Sequence, residues 1–227
     1  MNLTSNLLVS LLLGLSLHAQ ESSVTATPSK TGEKLSRHQE TIVVTGTFPP
    51  VTEPELDRSI SVIETEGQEL LYQNWTEYLE LSSSVDLRQR ALADVQGDIS
   101  IRGSTFGQTL VLLNGLRMND VQTVHHDMDL PLPTDAVQRI EVLRGAGSTL
   151  YGSDAMAGAI NVITRRPEHS DFHLGAGIGN FGVNQQNGSA SLLWKAIDTE
   201  LDAERDFSSG FRPDRDYRNL SLFSSSG

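Results

Sequence analysis

Residues 139–164 read RIEVLRGAGSTLYGSDAMAGAINVIT, in which two strand-forming runs flank a glycine-rich segment. The runs Arg139–Gly145 and Ala159–Thr164 are rich in β-branched residues, which favour β-strands. A dinucleotide-binding fingerprint that starts at Gly145 would need a third glycine at position 150, where this chain has Leu150. The stretch therefore predicts two strands of a small sheet and argues against a nucleotide-binding enzyme.

The residues before this stretch predict the remainder of an α/β domain. Asn114-Gly115 lies between two apolar runs, and this dipeptide is a strong signal for a two-residue β-hairpin turn. Further strands are predicted at 60–63, 98–103 and 109–113, and cap-like pairs (Thr65 with Gln68, Asn74 with Glu77) predict short helices at 66–72 and 75–81.

After Pro167 the chain alternates between apolar and polar residues with a period of two, which is typical of β-strands. In residues 198–207 the carboxylates fall on one face and most apolar side chains on the other. This pattern fits a strand between lipid and a wet lumen, and it also fits a soluble sheet with one solvated face. The smallest transmembrane barrels need about 8 strands, so on the lipid interpretation we expect the sequence to be a fragment.

The composition excludes several kinds of site. The 227 residues include 17 Lys+Arg and 29 Asp+Glu, which gives a formal net charge of −12. A chain this acidic lacks a basic stripe that could replace the counterions of phosphate groups, so we expect no nucleic-acid partner. The cysteine count of 0 excludes disulfides, thiolate metal sites and cysteine nucleophiles within these residues.

The N-terminal residues predict export. Leu7–Leu17 form an apolar run that is shorter than the ~20 residues of a membrane-spanning helix, and Ala19 could precede a signal-peptidase cut. We therefore expect a signal peptide at residues 1–19, with a buried N-terminal helix as the alternative. Residues 20–50 are mostly polar and are expected to form a flexible segment.

An isolated strand-forming run lies within this flexible segment. Residues 40–46 read ETIVVTG, and proline residues follow soon after. An extended segment with high β-propensity between flexible stretches suits pairing with the exposed sheet edge of another chain. The alternative is an ordinary first strand of the domain that follows.

Two polar regions are candidates for ligand contact. Residues 119–132 include adjacent His125 and His126 followed by Asp127, residue types that suit Zn, Ni or Fe. Adjacent residues on an extended chain point in opposite directions, and no third spaced ligand is evident, so we predict no metal site. The alternative to ligand contact is a polar loop without a binding role. Residues 87–94 form the second candidate loop.

Several of these motifs together resemble TonB-dependent outer-membrane receptors. Residues 40–46 resemble a TonB box, residues 99–103, 111–117 and 139–145 resemble strands of the plug domain, and residues 148–164 resemble the end of the plug. The resemblance implies an α/β plug domain at 51–166, built as a small mixed sheet with short helices. Residues 167–227 would then be the first strands of an antiparallel transmembrane β-barrel, incomplete in this chain.

The resemblance also implies roles for particular residues. It implies that the TonB box binds TonB by strand addition, that plug residues pair with the barrel wall, and that apical loops face the substrate. For two of these plug residues, Arg102 and Arg144, the alternative is that they are exposed at strand ends. The implied residues are Glu40, Thr41, Ile42, Val43, Val44 and Thr45 for TonB, Arg102, Glu141 and Arg144 for the barrel, and Arg88, Arg90, Asn119, His125, His126 and Asp127 for the substrate.

The function implied by the resemblance is uptake and not catalysis. Such a receptor lies in the outer membrane of a Gram-negative bacterium, takes up a siderophore-bound iron, cobalamin or similar metal chelate, and needs no resident cofactor. Its partners are TonB with the inner-membrane energising complex, and the ligand. Two alternatives stay open: a stand-alone periplasmic binding module with a plug-like fold, and an exported metallohydrolase that uses the His125 region.

Overall fold

The computed structural model of the chain describes residues 42–43, 45, 51–52, 59–68, 71–90, 96–195 and 197–227. The predicted signal peptide lies outside this part. The strands are β1 (Ile42–Val43), β2 (Val51–Thr52), β3 (Ile60–Glu64), β4 (Val85–Gln89), β5 (Gly97–Ile101), β6 (Thr109–Leu113), β7 (Leu116–Arg117), β8 (Val137–Arg144), β9 (Gly158–Thr164), β10 (Asp171–Ile178), β11 (Asn184–Trp194), β12 (Ile197–Ser208) and β13 (Tyr217–Ser226). The helices are α1 (Ser148–Tyr151) and 3₁₀ helices at Trp75–Leu81, Phe106–Gln108, Thr134–Ala136, Ser153–Ala155 and Asn180–Gly182.

A five-stranded mixed sheet with the order β3-β8-β9-β6-β7 forms the centre of the domain. β6 runs parallel to β9, and the other neighbouring strands are antiparallel. The two runs of residues 139–164 are β8 and β9, paired with Val142 opposite Ile160. Both strands have neighbours on either side, and β9 is buried along almost its whole length, which explains its nearly continuous apolar sequence. The strands predicted from these runs are confirmed.

The hairpin predicted at Asn114-Gly115 is also confirmed. These two residues join β6 to β7 with φ angles of 51° and 82°. Positive φ at both positions is what a two-residue turn requires to match the twist of the flanking strands, and asparagine and glycine tolerate it best.

The helices differ from the prediction in type and number. Asn74 caps the helix at Trp75–Leu81, because its Oδ1 accepts a hydrogen bond from the backbone N–H of Glu77 at 3.1 Å. The helix is 3₁₀, with Trp75 buried in the main core. The helix predicted at 66–72 is wrong at its start, where Glu66 and Gly67 lie in a turn. Within the described residues, no helix has the length and apolar character needed to cross a bilayer.

The candidate loop at 87–94 begins in a strand. Val85–Gln89 form β4, which pairs antiparallel with β5. The sequence VDLRQ is too polar to indicate a strand by itself, and the pairing with β5 stabilises the extended backbone instead.

Strands β10 to β13 form a separate four-stranded antiparallel sheet in chain order. Its carboxylate-bearing face is largely buried, as at Glu200, Asp202 and Asp206. The opposite face exposes large apolar side chains: Phe172, Leu174, Ile178, Leu201, Leu220 and Leu222. The predicted alternation and the predicted fold class, a mixed sheet with short helices followed by antiparallel strands, are confirmed.

Candidate coupling segment and ligand-facing loops

Three residues of the segment predicted to bind TonB (Ile42, Val43 and Thr45) are described, and all three are paired with other residues of the chain. Ile42 and Val43 form β1 and pair antiparallel with β2, with Ile42 opposite Thr52 and Val43 opposite Val51. Part of the main chain that strand addition would use is therefore already paired. Glu40, Thr41 and Val44 lie outside the described residues.

Thr45 is held on the central sheet and is 0% exposed. Its backbone N–H donates to Oε2 of Glu141 at 2.8 Å, and its Oγ1 accepts a hydrogen bond from Nδ2 of Asn161 at 2.9 Å. Glu141 and Asn161 are directly opposite each other on β8 and β9, so their side chains lie on the same face. Two neighbouring strands therefore hold one residue of the predicted TonB box.

Glu141 is a buried carboxylate, 0% exposed, and burying such a group costs stability unless it is paired. Arg139, whose side chain is 15% exposed, donates from Nε to Oε1 of Glu141 at 3.0 Å. A charged acceptor makes a stronger hydrogen bond than a neutral one, so Glu141 holds Thr45 firmly. Its pairing with the barrel wall stays a prediction.

The two plug arginines have different surroundings. Arg102 follows β5 with a φ of 52°, and its side chain is exposed. Arg144 ends β8 half-buried, and its Nε is buried with no hydrogen-bond partner among the residues that the structure describes. Because a buried donor is normally paired, Arg144 is better suited than Arg102 to bind a glutamate of the barrel wall, and both pairings stay predictions.

The loop at 119–132 is organised around a buried carboxylate. Asp127 accepts hydrogen bonds from Nδ2 of Asn119 at 2.7 Å and from the backbone N–H of Asp120 at 2.6 Å. Burial raises the pKa of Asp127 to about 6. Hydrogen bonds from Thr123 lower the pKa of the Asp120 carboxyl to about 2. Asp127 and Asn119 therefore hold the shape of the loop.

The two histidines of this loop face different carboxylates. His125 Nδ1 lies 2.8 Å from Asp98 Oδ1, and its ring centroid is 4.3 Å from that of Phe106. His126 Nδ1 lies 2.5 Å from Asp129 Oδ2, a hydrogen bond that raises the pKa of His126 above its usual value. Across the described ranges, no three His, Asp or Glu side chains converge in a way that could hold a metal ion.

The two arginines predicted to face substrate diverge. Arg88 lies in β4, and its guanidinium pairs with Asp86 at 2.9 Å. Arg90 follows β4 and lines a cavity together with five residues that follow β12: Gly210, Phe211, Arg212, Arg215 and Tyr217. No role was predicted for these later residues, although Phe211, Arg212 and Arg215 place one aromatic and two basic side chains close together in the sequence.

The four-stranded sheet contacts the first domain through polar groups. Glu204 of β12 accepts a hydrogen bond from the backbone N–H of Thr134 at 2.6 Å, and Asn187 of β11 donates to Asp135. The sequence pattern placed the carboxylates of β12 on one face, and it carried no signal for the groups that they contact.

The residues that hold Thr45 and the residues around Arg90 lie near opposite ends of β12. Asn161, which holds Thr45, lines a cavity with Asp198 at the start of β12. Arg90 lines its cavity with Gly210, just past the end of that strand. At about 3.3 Å per residue, the ends of β12 are about 35 Å apart.

Comparison with known proteins identifies the first domain. Residues 53–159 match the family described as TonB-dependent Receptor Plug Domain. The vitamin B12 transporter BtuB of Vibrio vulnificus (strain CMCP6) is 30% identical over 167 residues, which are 71% of this chain and 25% of that protein. The chain therefore spans about a quarter of the length of this relative.

Solved structures share the fold. FpvA of P. aeruginosa, determined with bound pyoverdines, has a TM-score of 0.68 at 17% identity, over 82% of this chain and 25% of that one. The siderophore receptor PirA from Pseudomonas aeruginosa has a TM-score of 0.55 at 26% identity, over 74% of this chain and 30% of that one. The plug domain recognised from the sequence motifs is confirmed: residues 53–159 belong to the family described as TonB-dependent Receptor Plug Domain.

Proposed function

We propose that this chain forms the plug and the first barrel strands of a receptor in the outer membrane of a Gram-negative bacterium. The receptor takes up a scarce nutrient, either siderophore-bound iron, cobalamin or a similar metal chelate, and it is a transporter and not an enzyme. The plug-domain match supports this proposal, as do relatives described as a vitamin B12 transporter and a siderophore receptor.

The observation that carries the proposal is the separation of two groups of residues by the length of β12. The cavity that Asn161 lines, next to the docked Thr45, includes Asp198, whereas the cavity of Arg90 includes Gly210. A transporter that binds ligand on one side of the membrane and is pulled from the other needs such an arrangement. Thr45 would lie toward the periplasm and Arg90 toward the outside.

The sheet β10–β13 supports the membrane part of the proposal. One face exposes large apolar side chains, and the other packs its polar side chains on the plug. Single apolar residues are common on protein surfaces, but a sheet face that exposes this many large apolar side chains indicates contact with lipid or with another apolar surface. A stand-alone periplasmic module would have to cover this face in another way.

In the proposed mechanism TonB binds residues 40–45 by adding a strand. It would replace the pairing of Ile42 and Val43 with β2, and its pull would break the hydrogen bonds of Thr45 to Glu141 and Asn161. Because those two residues lie on β8 and β9, the pull would act directly on the central sheet of the plug.

Proline at position 42 tests the coupling step in cells that carry the complete receptor. We expect Ile42→Pro to abolish accumulation of labelled ligand while surface binding stays within about twofold, because proline has no N–H for strand pairing. The ligands would be cyanocobalamin and iron complexes of a catecholate and a hydroxamate. Ile42→Val keeps the N–H and should accumulate ligand normally. Equal loss of binding and accumulation in Ile42→Pro would contradict the proposal.

A further inference from the structure

A basic and aromatic pocket lies where the end of β4 meets the loop after β12. Its volume is about 350 Å³, which is within the range of small-molecule sites, about 300–1,000 Å³. The described residues that give it its chemistry are Gln89, Arg90, Phe211, Arg212, Arg215 and Tyr217.

The charge of this pocket is opposite to that of the chain. Three arginines line it, and none of the described lining residues is Asp or Glu, although the chain has 29 Asp+Glu against 17 Lys+Arg. Asp214 and Asp216 belong to the same loop, and neither lines the pocket. The three arginines come from segments more than 100 positions apart in the sequence, Arg90 on one side and Arg212 and Arg215 on the other. The fold therefore concentrates positive charge at one place.

The aromatic residues add a flat apolar surface beside these charges. Phe211 is 56% exposed, and the guanidinium carbon of Arg212 lies 5.5 Å from the centroid of its ring. Phe181, in the neighbouring loop between β10 and β11, approaches Phe211 edge-on with ring centroids 6.5 Å apart. Guanidinium groups bind anionic oxygens in planar pairs, and they stack on aromatic faces.

We propose that this pocket binds the anionic aryl-oxygen groups of a metal chelate, such as a catecholate. The arginines pair with the phenolate oxygens, and Phe211 and Tyr217 pack against the aryl rings. This inference rests on the proposed function, and it narrows the ligand from any chelate or vitamin to a polyanionic aromatic one. A hydroxamate chelate or a corrinoid with no net charge gains less from three arginines than a polyanionic catecholate does, because hydrogen bonds to charged acceptors are the stronger ones.

Equilibrium dialysis with the complete receptor in detergent tests this assignment. The probes are the anionic iron complex of 2,3-dihydroxybenzoate, the uncharged iron complex of acetohydroxamate, and cyanocobalamin, each with a radiolabelled metal. The variants are Arg212→Gln, Arg215→Gln and Phe211→Leu. Arg166→Gln is the matched control, because it removes the same charge from an exposed position that lines the cavity near Asn161.

We expect the catecholate complex to bind, and each pocket arginine variant to weaken its binding about tenfold. Phe211→Leu should weaken binding by a smaller factor, and Arg166→Gln should leave it unchanged. The affinity should fall as the salt concentration rises, since the contact is between exposed charges.

Three results would overturn the inference, and they differ in what they mean for the proposed uptake function. If cyanocobalamin or the hydroxamate complex binds and is accumulated while the catecholate complex is not bound, the pocket assignment is wrong and the proposed uptake function stands. The pocket assignment is also wrong, and the proposed uptake function stands, if the catecholate complex binds equally well to Arg212→Gln, Arg215→Gln and the unaltered receptor. If no probe is bound or accumulated, both proposals fail.

Discussion

At the scale of single residues, Glu141 links the predicted TonB box to the stability of the plug. Its neighbours on β8, Ile140 and Val142, are fully buried apolar residues. The carboxylate of Glu141 is tolerated at this buried position because Arg139 and the N–H of Thr45 donate hydrogen bonds to it. Undocking of Thr45 leaves Glu141 with one donor fewer, so the docked state is favoured until a partner competes for the segment.

Replacing Glu141 by glutamine should loosen this contact. The amide keeps the size of the side chain but loses the charge and one acceptor oxygen, and a hydrogen bond to a charged group contributes about 1.5–3 kcal/mol. We expect Glu141→Gln to raise the rate of thiol labelling at an introduced Val43→Cys about tenfold or more. The cysteine count of this chain is 0, so the label reports one site within it.

Glu66→Gln is the matched control for this measurement, because Glu66 is exposed in a turn. It should leave the labelling rate at position 43 unchanged. A rate in Glu141→Gln that equals the rate in Glu66→Gln would show that Glu141 does not hold the segment.

Asp127 should make the stability of its loop depend on pH. Its pKa is about 6 in the folded loop and about 3.9 in an unfolded chain, so the folded loop binds more protons between these values. The stability is therefore greatest below about pH 4 and falls as the pH rises through 6, by on the order of 1 kcal/mol. Hydrogen exchange of the amides of residues 119–132, corrected for intrinsic rates, measures this change.

Two variants separate Asp127 from its neighbour Asp120. Asp127→Asn should remove the change in loop stability between pH 4 and 6. Asp120→Asn should keep it, because the pKa of Asp120 is lowered to about 2 and its contribution is lost only as the pH falls from about 4 through 2. A change between pH 4 and 6 that persists in Asp127→Asn would refute the assignment.

At the scale of elements, the pairing of β8 with β9 depends on Gly158. A Cβ at this position would lie 2.1 Å from the backbone oxygen of Leu143 and 2.8 Å from Cδ1 of Ile101. Since β8 is paired on both sides, the oxygen of Leu143 cannot move away without disturbing the sheet. We expect Gly158→Ala to reduce the free energy of unfolding by about 2–4 kcal/mol, measured by urea denaturation.

Gly107→Ala is the control for this prediction. A Cβ at position 107 would lie 3.8 Å from Cγ2 of Val124, an ordinary contact distance. The two variants should therefore differ clearly in their denaturation midpoints, and equal midpoints would contradict the close approach at Gly158.

The elements that sequence patterns predicted correctly are those with strong local signals. β-branched runs identify β8 and β9, and Asn114-Gly115 identifies the hairpin between β6 and β7. β4 escaped prediction because its residues are mostly polar and it is extended through pairing with β5. The helix predicted at 66–72 failed at its start because Gly67 takes a φ of 77°, which belongs to a turn.

At the scale of the whole molecule, the sites depend on contacts between distant parts of the chain. The resemblance to a receptor plug singled out Thr45, Glu141 and Arg90 one by one. No sequence signal indicates that Thr45 and Glu141 bind each other, since they are 96 positions apart. No signal connects Arg90 with Arg212 and Arg215 either, because these residues meet only where the sheet β10–β13 packs beside the plug.

Cell fractionation tests the central claim, that this chain is the plug-bearing part of an outer-membrane receptor. Inner membrane, outer membrane and soluble fractions of the source cell would be blotted for an epitope within residues 100–160, with and without boiling. We expect an outer-membrane band, much heavier than the 24.8 kDa of these 227 residues, whose mobility changes on heating. A soluble periplasmic band of about the mass of this chain would contradict it, and the protein would then be a periplasmic binding module.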